Sequence, residues 1–159
     1  MVLTEEGLLP AGVLIRAASP NEVETLRTIA AASKGFWGYQ PDRVRTWAQA
    51  LEPFSASAEV YVASVDSSIV GWIALTEPSG GVCVLDGLWV LPEWIRKQGI
   101  GSVLFNKARE RARMLGGHVL ELEAEPNSRG FYEKMGAVHV RDQIANWGRP
   151  LPVMSLRLT

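Results

Sequence analysis

The nine-residue run from Val82 to Val90 constrains the fold more than any other segment, because it is almost entirely apolar. Such a run is typical of a central β-strand that is covered on both faces. A glycine-rich loop follows it, then a helical pattern of apolar residues from Gly99 to Leu115, and then a strand from His118 to Ala124. A strand, a helix and a strand in this order predict one parallel crossover unit.

The flanking segments predict antiparallel strands and further helices, so the expected fold is α/β with a mixed sheet. One helix begins at Ser19 as N-cap, with Pro20 in the first helical position and Glu22 completing a capping box, and it ends at Gly35. The remaining expected elements are strands at Val13–Arg16, Glu59–Val65 and Ile69–Leu75, a helix from Pro41 that stops at Pro53, a short helix at Ser128–Met135, and one or two tail strands ending at Val153–Leu158.

Length and composition exclude several classes of protein. The 159 residues suit one domain, and 16 basic against 17 acidic residues, with a pI near 6.1, disfavour a nucleic-acid binder. The single cysteine, Cys83, excludes an internal disulfide and fits a core position, and two histidines exclude a three-histidine metal centre, so no metal is expected. No apolar run is long enough to span a membrane, and acids stand where a signal peptide has bases. A cytoplasmic protein is the expectation.

The loop from Arg96 to Ser102 has the chemistry of an anion site. Glycines allow a sharp turn and close approach of a ligand, and a helix N-terminus favours a phosphate. The stretch from Arg96 to Arg113 holds six basic residues against one acid, Glu110. A loop that merely starts a helix is the alternative interpretation. A dinucleotide fold is rejected, because Leu104 replaces the third glycine and only one crossover is present.

Two motifs in this order carry a family resemblance. The first motif is Leu88–Pro92 followed by Arg96-x-x-Gly99-x-Gly101, and the second is Ala124–Asn127 with Phe131–Ala137. Together they resemble the acyl-CoA-binding core of the GCN5-related N-acetyltransferases. Weaker similarity to one bacterial branch of unassigned substrate extends over Ser33–Tyr39 and Gly148–Met154. The resemblance implies a single acyl-CoA N-acyltransferase domain over residues 1–159, with a mixed, mostly antiparallel sheet of six or seven strands and about four flanking helices.

The resemblance also implies that acetyl-CoA is the co-substrate. The strand ending at Val90 and the strand starting at His118 would separate, and the pantetheine arm would lie between them. Backbone amides of the glycine loop would hold the pyrophosphate, and an amide near Val90 would polarise the thioester carbonyl. The residues expected to bind CoA are Leu88, Trp89, Val90, Arg96, Lys97, Gln98, Gly99, Ile100, Gly101, Ser102, Asn127 and Phe131.

Two residues are candidates for proton transfer. Tyr132 matches the general acid of the family, since a phenol can protonate a departing thiolate; the alternative is a packed core tyrosine. Asp86 is the best candidate for the base that takes a proton from the attacking amine, and burial in an apolar strand would tune it for that role. Because Gly87 follows it, a structural position at a β-bulge is equally open. Glu93, Glu125 and a relayed water are lesser candidates.

The acceptor side carries fewer signals. Phe36, Trp37 and Tyr39 surround Gly38 between the first two helices, where related enzymes build the acceptor pocket; packing of the helices on the sheet is the equal alternative. Trp72, Trp89 and Trp147 are expected in the core or the groove wall. The sequence therefore predicts acetyl transfer to a primary amine of a small molecule or peptide by direct attack. A non-catalytic acyl-CoA-binding or sensing module is the rival prediction. A homodimer stays open.

Overall fold

The computed structural model describes residues 2–4, 7–10, 12–57, 59–144 and 149–158, which form a small hairpin and one seven-stranded sheet. The strands are β1 (Val2–Thr4), β2 (Gly7–Leu9), β3 (Val13–Ala17), β4 (Glu59–Val65), β5 (Ser68–Leu75), β6 (Val82–Val90), β7 (Val119–Glu123), β8 (Val138–Ile144) and β9 (Pro150–Arg157). The large sheet has the order β3-β4-β5-β6-β7-β9-β8. Among the strands so defined, β6 and β7 are parallel neighbours and every other pair is antiparallel. The predicted mixed α/β sheet is confirmed.

Five α-helices flank the strands within the described residues: α1 (Val23–Phe36), α2 (Pro41–Gln49), α3 (Pro53–Ala56), α4 (Ile100–Met114) and α5 (Arg129–Lys134). The capping box before α1 is present, with the Ser19 N–H donating to the Glu22 carboxylate at 2.8 Å. Helix α2 ends at Gln49, before Pro53, and Pro53 also begins the single turn α3, because its fixed φ suits the first helical position. The part of the chain that is described has no helix with both the length and the apolar character needed to cross a bilayer.

Side chains cover β5 on both faces. The expectation that the run Val82–Val90 is covered on both faces is wrong for part of β6, because Val84 and Asp86 on one of its faces are exposed. On one face of the sheet, α4 contributes Leu104 and Phe105 to a buried cluster that also contains Ile73 and the fully buried Cys83. On the other, α1 packs against a cluster that includes Trp72, whose indole N–H donates to the Leu26 carbonyl at 2.8 Å. The alternation of Trp72 and Ile73 between the two clusters follows the two-residue period of a strand. The cysteine and this tryptophan are therefore core residues.

Strand β6 has a partner along only part of one side. Its pairing with β5 runs from Leu85 to Val90, whereas its pairing with β7 covers only Val82–Val84. Beyond Val84 the two parallel strands separate, and one edge of β6 faces a gap in the sheet. This gap positions the candidate site.

Candidate functional site

A cavity of about 1070 Å³ occupies the gap between β6 and β7. Most of its lining comes from the second half of β6, the glycine loop with the start of α4, helix α5 with the turn before it, and the end of α1, and single residues or pairs from α2, β7, β8 and β9 complete it. The predicted residues on its wall are Asp86, Leu88, Trp89, Val90, Arg96, Gly99, Ile100, Gly101, Ser102, Asn127, Phe131, Tyr132 and Trp37. The fold thus brings most of the predicted donor-side residues together.

The glycine loop has an unusual backbone. Arg96, Gln98 and Gly99 have φ values of 65°, 52° and 65°, which is the left-handed region. For the two non-glycine residues this conformation costs about 1–2 kcal/mol each. Strain of this kind persists where the surrounding structure enforces it, often at a ligand site. Because the loop runs directly into the 15-residue helix α4, the first-turn N–H groups at Gly101 and Ser102 lie where an anion binds favourably.

The basic residues between Arg96 and Arg113 bring less positive charge to the cavity than their number suggests. Of the six basic residues between Arg96 and Arg113, only Arg96 lies on the cavity wall. Lys97 and Gln98 are exposed beside it. Arg111 instead binds Glu59 on the other side of α4, with N···O distances of 2.7 and 2.8 Å. The candidate anion site therefore consists mainly of backbone amides and one arginine.

Asp86 lies at a β-bulge, the structural alternative that its sequence context left open. The register with β5 places Ala74 opposite Gly87 and Leu75 opposite Leu85, so Asp86 is the extra residue. Its carboxylate lines the cavity but is exposed, and the Ser57 hydroxyl donates to it at 3.5 Å. The expectation that Asp86 is buried in an apolar strand is wrong, because the bulge leaves this carboxylate in contact with solvent.

Tyr132 is buried on the cavity wall with 7% of its surface exposed. The rings of Phe131 and Phe105 pack edge-on against its ring, with centroids 5.0 and 5.7 Å away. Burial raises the pKa of the Tyr132 phenol above its ordinary value, so the phenol carries its proton throughout the physiological range. A neutral phenol on the cavity wall, held in place by aromatic packing, is a candidate proton donor.

The three aromatic side chains of residues 36–39, a segment called the acceptor loop after the role expected of it, have different positions. Trp37 lines the cavity, Phe36 is 53% exposed, and Tyr39 is buried beside the cavity wall. The Tyr39 hydroxyl donates to Glu125 Oε2 at 2.6 Å, and Asn127 Nδ2 donates to Glu125 Oε1 at 3.0 Å. Glu125 therefore joins the acceptor loop to a residue expected to bind the pantetheine arm.

Sequence reasoning missed Lys34 and Trp47, which also line the cavity. The available signal was the helical period, since Lys34 falls four residues after Ala30 and eight after Leu26 on the buried stripe of α1. A lysine on an apolar stripe is an exception to that pattern. Trp147, and the first residue of the weak match at Gly148–Met154, lie outside the described residues. Within the described ranges, no group of three or more His, Cys, Asp or Glu side chains is placed to hold a metal ion.

Comparison with known proteins gives one family match and several solved structures of the same fold. The family model described as the acetyltransferase (GNAT) family matches residues 23–137. A GCN5-related N-acetyltransferase structure from Rhodopseudomonas palustris superimposes with a TM-score of 0.77 at 20% identity, covering 95% of this chain and 99% of the other.

Two further structures contain coenzyme A or acetyl-CoA. The PaiA N-acetyltransferase of Thermoplasma acidophilum in complex with coenzyme A gives a TM-score of 0.73 at 20% identity, covering 91% of this chain and 98% of the other. A GNAT family acetyltransferase of Brucella melitensis in complex with acetyl-CoA gives 0.69 at 21% identity, covering 92% and 88%. No curated protein matches the sequence significantly. At these identities the structures show a shared fold.

Proposed function

Because the family match spans most of the chain, the protein belongs to the acetyltransferase (GNAT) family, and we propose that it transfers an acetyl group from acetyl-CoA to the primary amine of a small molecule or peptide. The observation that carries the proposal is the gap between β6 and β7, which has a glycine loop at one end and a buried tyrosine on its wall. A gap between parallel strands offers unpaired backbone groups to a long, amide-containing ligand.

The residues around the gap suit CoA along its length. The amides of the loop from Gln98 to Ser102, with the Arg96 guanidinium, would hold the pyrophosphate. The free edge of β6 at Leu88–Val90 would pair with the amides of the pantetheine arm, and Asn127 would bind it from the opposite wall. Main-chain amides and one guanidinium suit the doubly charged pyrophosphate. A free strand edge suits the extended pantetheine arm.

The proposed chemistry is direct attack of the amine on the thioester that acetyl-CoA supplies. An amide near Val90 would stabilise the negative charge that develops on the carbonyl oxygen. Tyr132 would give its phenolic proton to the departing thiolate, and Asp86 would receive the proton of the amine through solvent, since its carboxylate is exposed on the cavity wall. The amide, the phenol and the carboxylate would each assist one step of the transfer. Direct attack needs no covalent enzyme intermediate.

A test of the proposal separates transfer from binding alone. Purified protein is incubated with acetyl-CoA and a panel of primary amines, while free thiol is measured in solution and the N-acetylated amine is identified by mass spectrometry. We expect at least one amine to give both products in equal amounts. If acetyl-CoA raises the melting temperature but no amine yields free CoA, the protein is a non-catalytic acyl-CoA-binding or sensing module.

Asp86→Asn tests the proposed base. We expect this variant to shift or abolish the acidic limb of the kcat/KM pH profile, because the amide cannot accept the amine proton. Asp66→Asn is the matched control: Asp66 has a φ of 49° in the turn between β4 and β5, where asparagine is well tolerated, and it does not line the cavity. An unchanged profile for Asp86→Asn would remove Asp86 from the mechanism.

A further inference from the structure

The turn that follows β7 holds Glu125 and Asn127 in a fixed relation to each other. Glu125 is the N-cap of a single 3-10 turn, Pro126–Ser128, and the Ser128 N–H donates to the Glu125 carbonyl at 2.7 Å. The pyrrolidine ring of Pro126 fixes φ within this turn. Glu125 and Asn127 both line the cavity. The turn therefore presents a carboxylate and a primary amide side by side at the gap beside β6.

The Glu125 carboxylate is held at both of its oxygens. Its side chain is 12% exposed, Oε2 accepts a hydrogen bond from the Tyr39 hydroxyl at 2.6 Å, and Oε1 accepts one from Asn127 Nδ2 at 3.0 Å. A nitrogen of Arg149 lies 3.9 Å from Oε1. Burial raises the pKa of the Tyr39 phenol, and the hydrogen bond to Glu125 raises it further, so the phenol stays a donor. Because hydrogen bonds to a charged acceptor are strong, the carboxylate has little freedom to rotate.

These contacts determine which atom Asn127 offers to a ligand. An ionised carboxylate can only accept hydrogen bonds, so the amide nitrogen of Asn127 has to face Glu125. The amide oxygen lies on the other branch of the side chain and can accept a hydrogen bond from a ligand in the cavity. The pantetheine arm suits this acceptor, because its amide groups carry N–H donors.

We propose that Glu125 is a positioning residue: it orients the Asn127 amide so that the amide oxygen accepts an N–H of the pantetheine arm, and Tyr39 of the acceptor loop holds Glu125 for this role. The inference rests on the proposed function, which supplies the ligand, and it adds a residue that acts on CoA through another side chain. A change in the acceptor loop at Tyr39 would therefore reach the CoA site through one carboxylate.

Exchanging the two side chains tests this proposal by calorimetric titration with CoA. In Asn127→Asp two carboxylates face each other and neither donates, so we expect CoA binding to weaken at least ~10-fold. In Glu125→Gln/Asn127→Asp the glutamine nitrogen donates to the aspartate and the glutamine oxygen accepts from Tyr39, while the second aspartate oxygen accepts from the pantetheine arm. We expect this double variant to bind CoA at least ~5-fold more tightly than Asn127→Asp does.

Glu123→Gln/Asn127→Asp is the matched control, because Glu123 also lines the cavity and the substitution removes an equal charge from it. We expect this control to bind CoA as weakly as Asn127→Asp, and thermal melting shows whether each variant is folded. Wild-type affinity in Asn127→Asp, no recovery in Glu125→Gln/Asn127→Asp, or equal recovery in the control would overturn the proposal.

Tyr39→Phe tests the link to the acceptor loop. We expect it to weaken CoA binding ~3-fold or more, since Glu125 loses one of its donors, whereas Tyr61→Phe leaves CoA binding unchanged. Equal CoA affinity in these two variants would overturn the link. All of these measurements are made without turnover. If the wild type binds CoA but acetylates no amine, the proposed transfer fails while the comparison of variants still decides the role of Glu125; if the wild type does not bind CoA, both fail.

Discussion

Replacing Gly101 with glutamate is expected to weaken CoA binding by at least ~100-fold, or about 2.7 kcal/mol, while the protein stays folded. The new carboxylate would stand in the first turn of α4, at the position proposed for the pyrophosphate, where like charges repel. The backbone itself tolerates a side chain here, since a Cβ at Gly101 would meet only the Phe131 ring, at 3.4 Å. A negative charge near a helix N-terminus also favours the folded helix. Calorimetric titration with CoA and thermal melting of the free protein measure the two effects.

Gly101→Ala is the matched control for this experiment. A methyl group makes the same 3.4 Å contact with Phe131 without adding charge, and alanine in a helix is favoured over glycine by about 0.5–1 kcal/mol. We expect the alanine variant to keep most of its CoA affinity and to melt at a slightly higher temperature. If Gly101→Glu binds CoA as tightly as Gly101→Ala does, the pyrophosphate is not bound at this loop.

Replacing Tyr132 with phenylalanine is expected to lower kcat by ~10²- to 10⁴-fold, which is the usual contribution of a positioned general acid. The phenylalanine ring would keep the edge-on packing against Phe105 and Phe131, so the fold and the affinity for CoA are expected to change little. What the variant loses is a buried, protonated hydroxyl on the cavity wall. Steady-state rates of thiol release at saturating acetyl-CoA and acceptor measure the effect.

Tyr61→Phe serves as the control for loss of a tyrosine hydroxyl. The Tyr61 hydroxyl donates to Glu59 at 2.8 Å, and the residue packs near α4, outside the cavity wall. We expect its kcat to equal that of the wild type. A Tyr132→Phe variant with the wild-type kcat would make Tyr132 a packing residue, and another group would have to protonate the thiolate.

The elements that sequence predicted best are those with strong local signals. The run Val82–Val90 forms β6 with the predicted bounds, because a short, mostly apolar run that follows a glycine turn favours a strand over a longer helix. The Ser19–Glu22 capping box marks the start of the first helical segment for the same local reason. The hairpin β1–β2 was missed, since strands of three residues carry too little periodicity to be recognised.

The parts of the candidate site that a short local motif forms were predictable from sequence. The parts that depend on contacts between residues far apart in sequence were not. The glycine loop is local, and Arg96 and Gly99 to Ser102 lie on the cavity wall as expected, whereas Lys97 and Gln98 do not. The exposure of Asp86 depends on a bulge against β5, and the Tyr39–Glu125 hydrogen bond joins residues 86 positions apart. Lys34 is visible in sequence as a lysine on an apolar stripe, but only the fold shows which rings surround its ammonium.

The most direct test of the account is a crystal structure of the protein in complex with CoA. We predict that the pyrophosphate lies on the backbone amides of Gln98–Ser102, that the pantetheine arm pairs with β6 at Leu88–Val90 in the gap beside β7, and that the sulfur lies next to Tyr132. A complex in which CoA binds elsewhere would contradict the account. So would a CoA-free crystal structure in which the gap between β6 and β7 is closed.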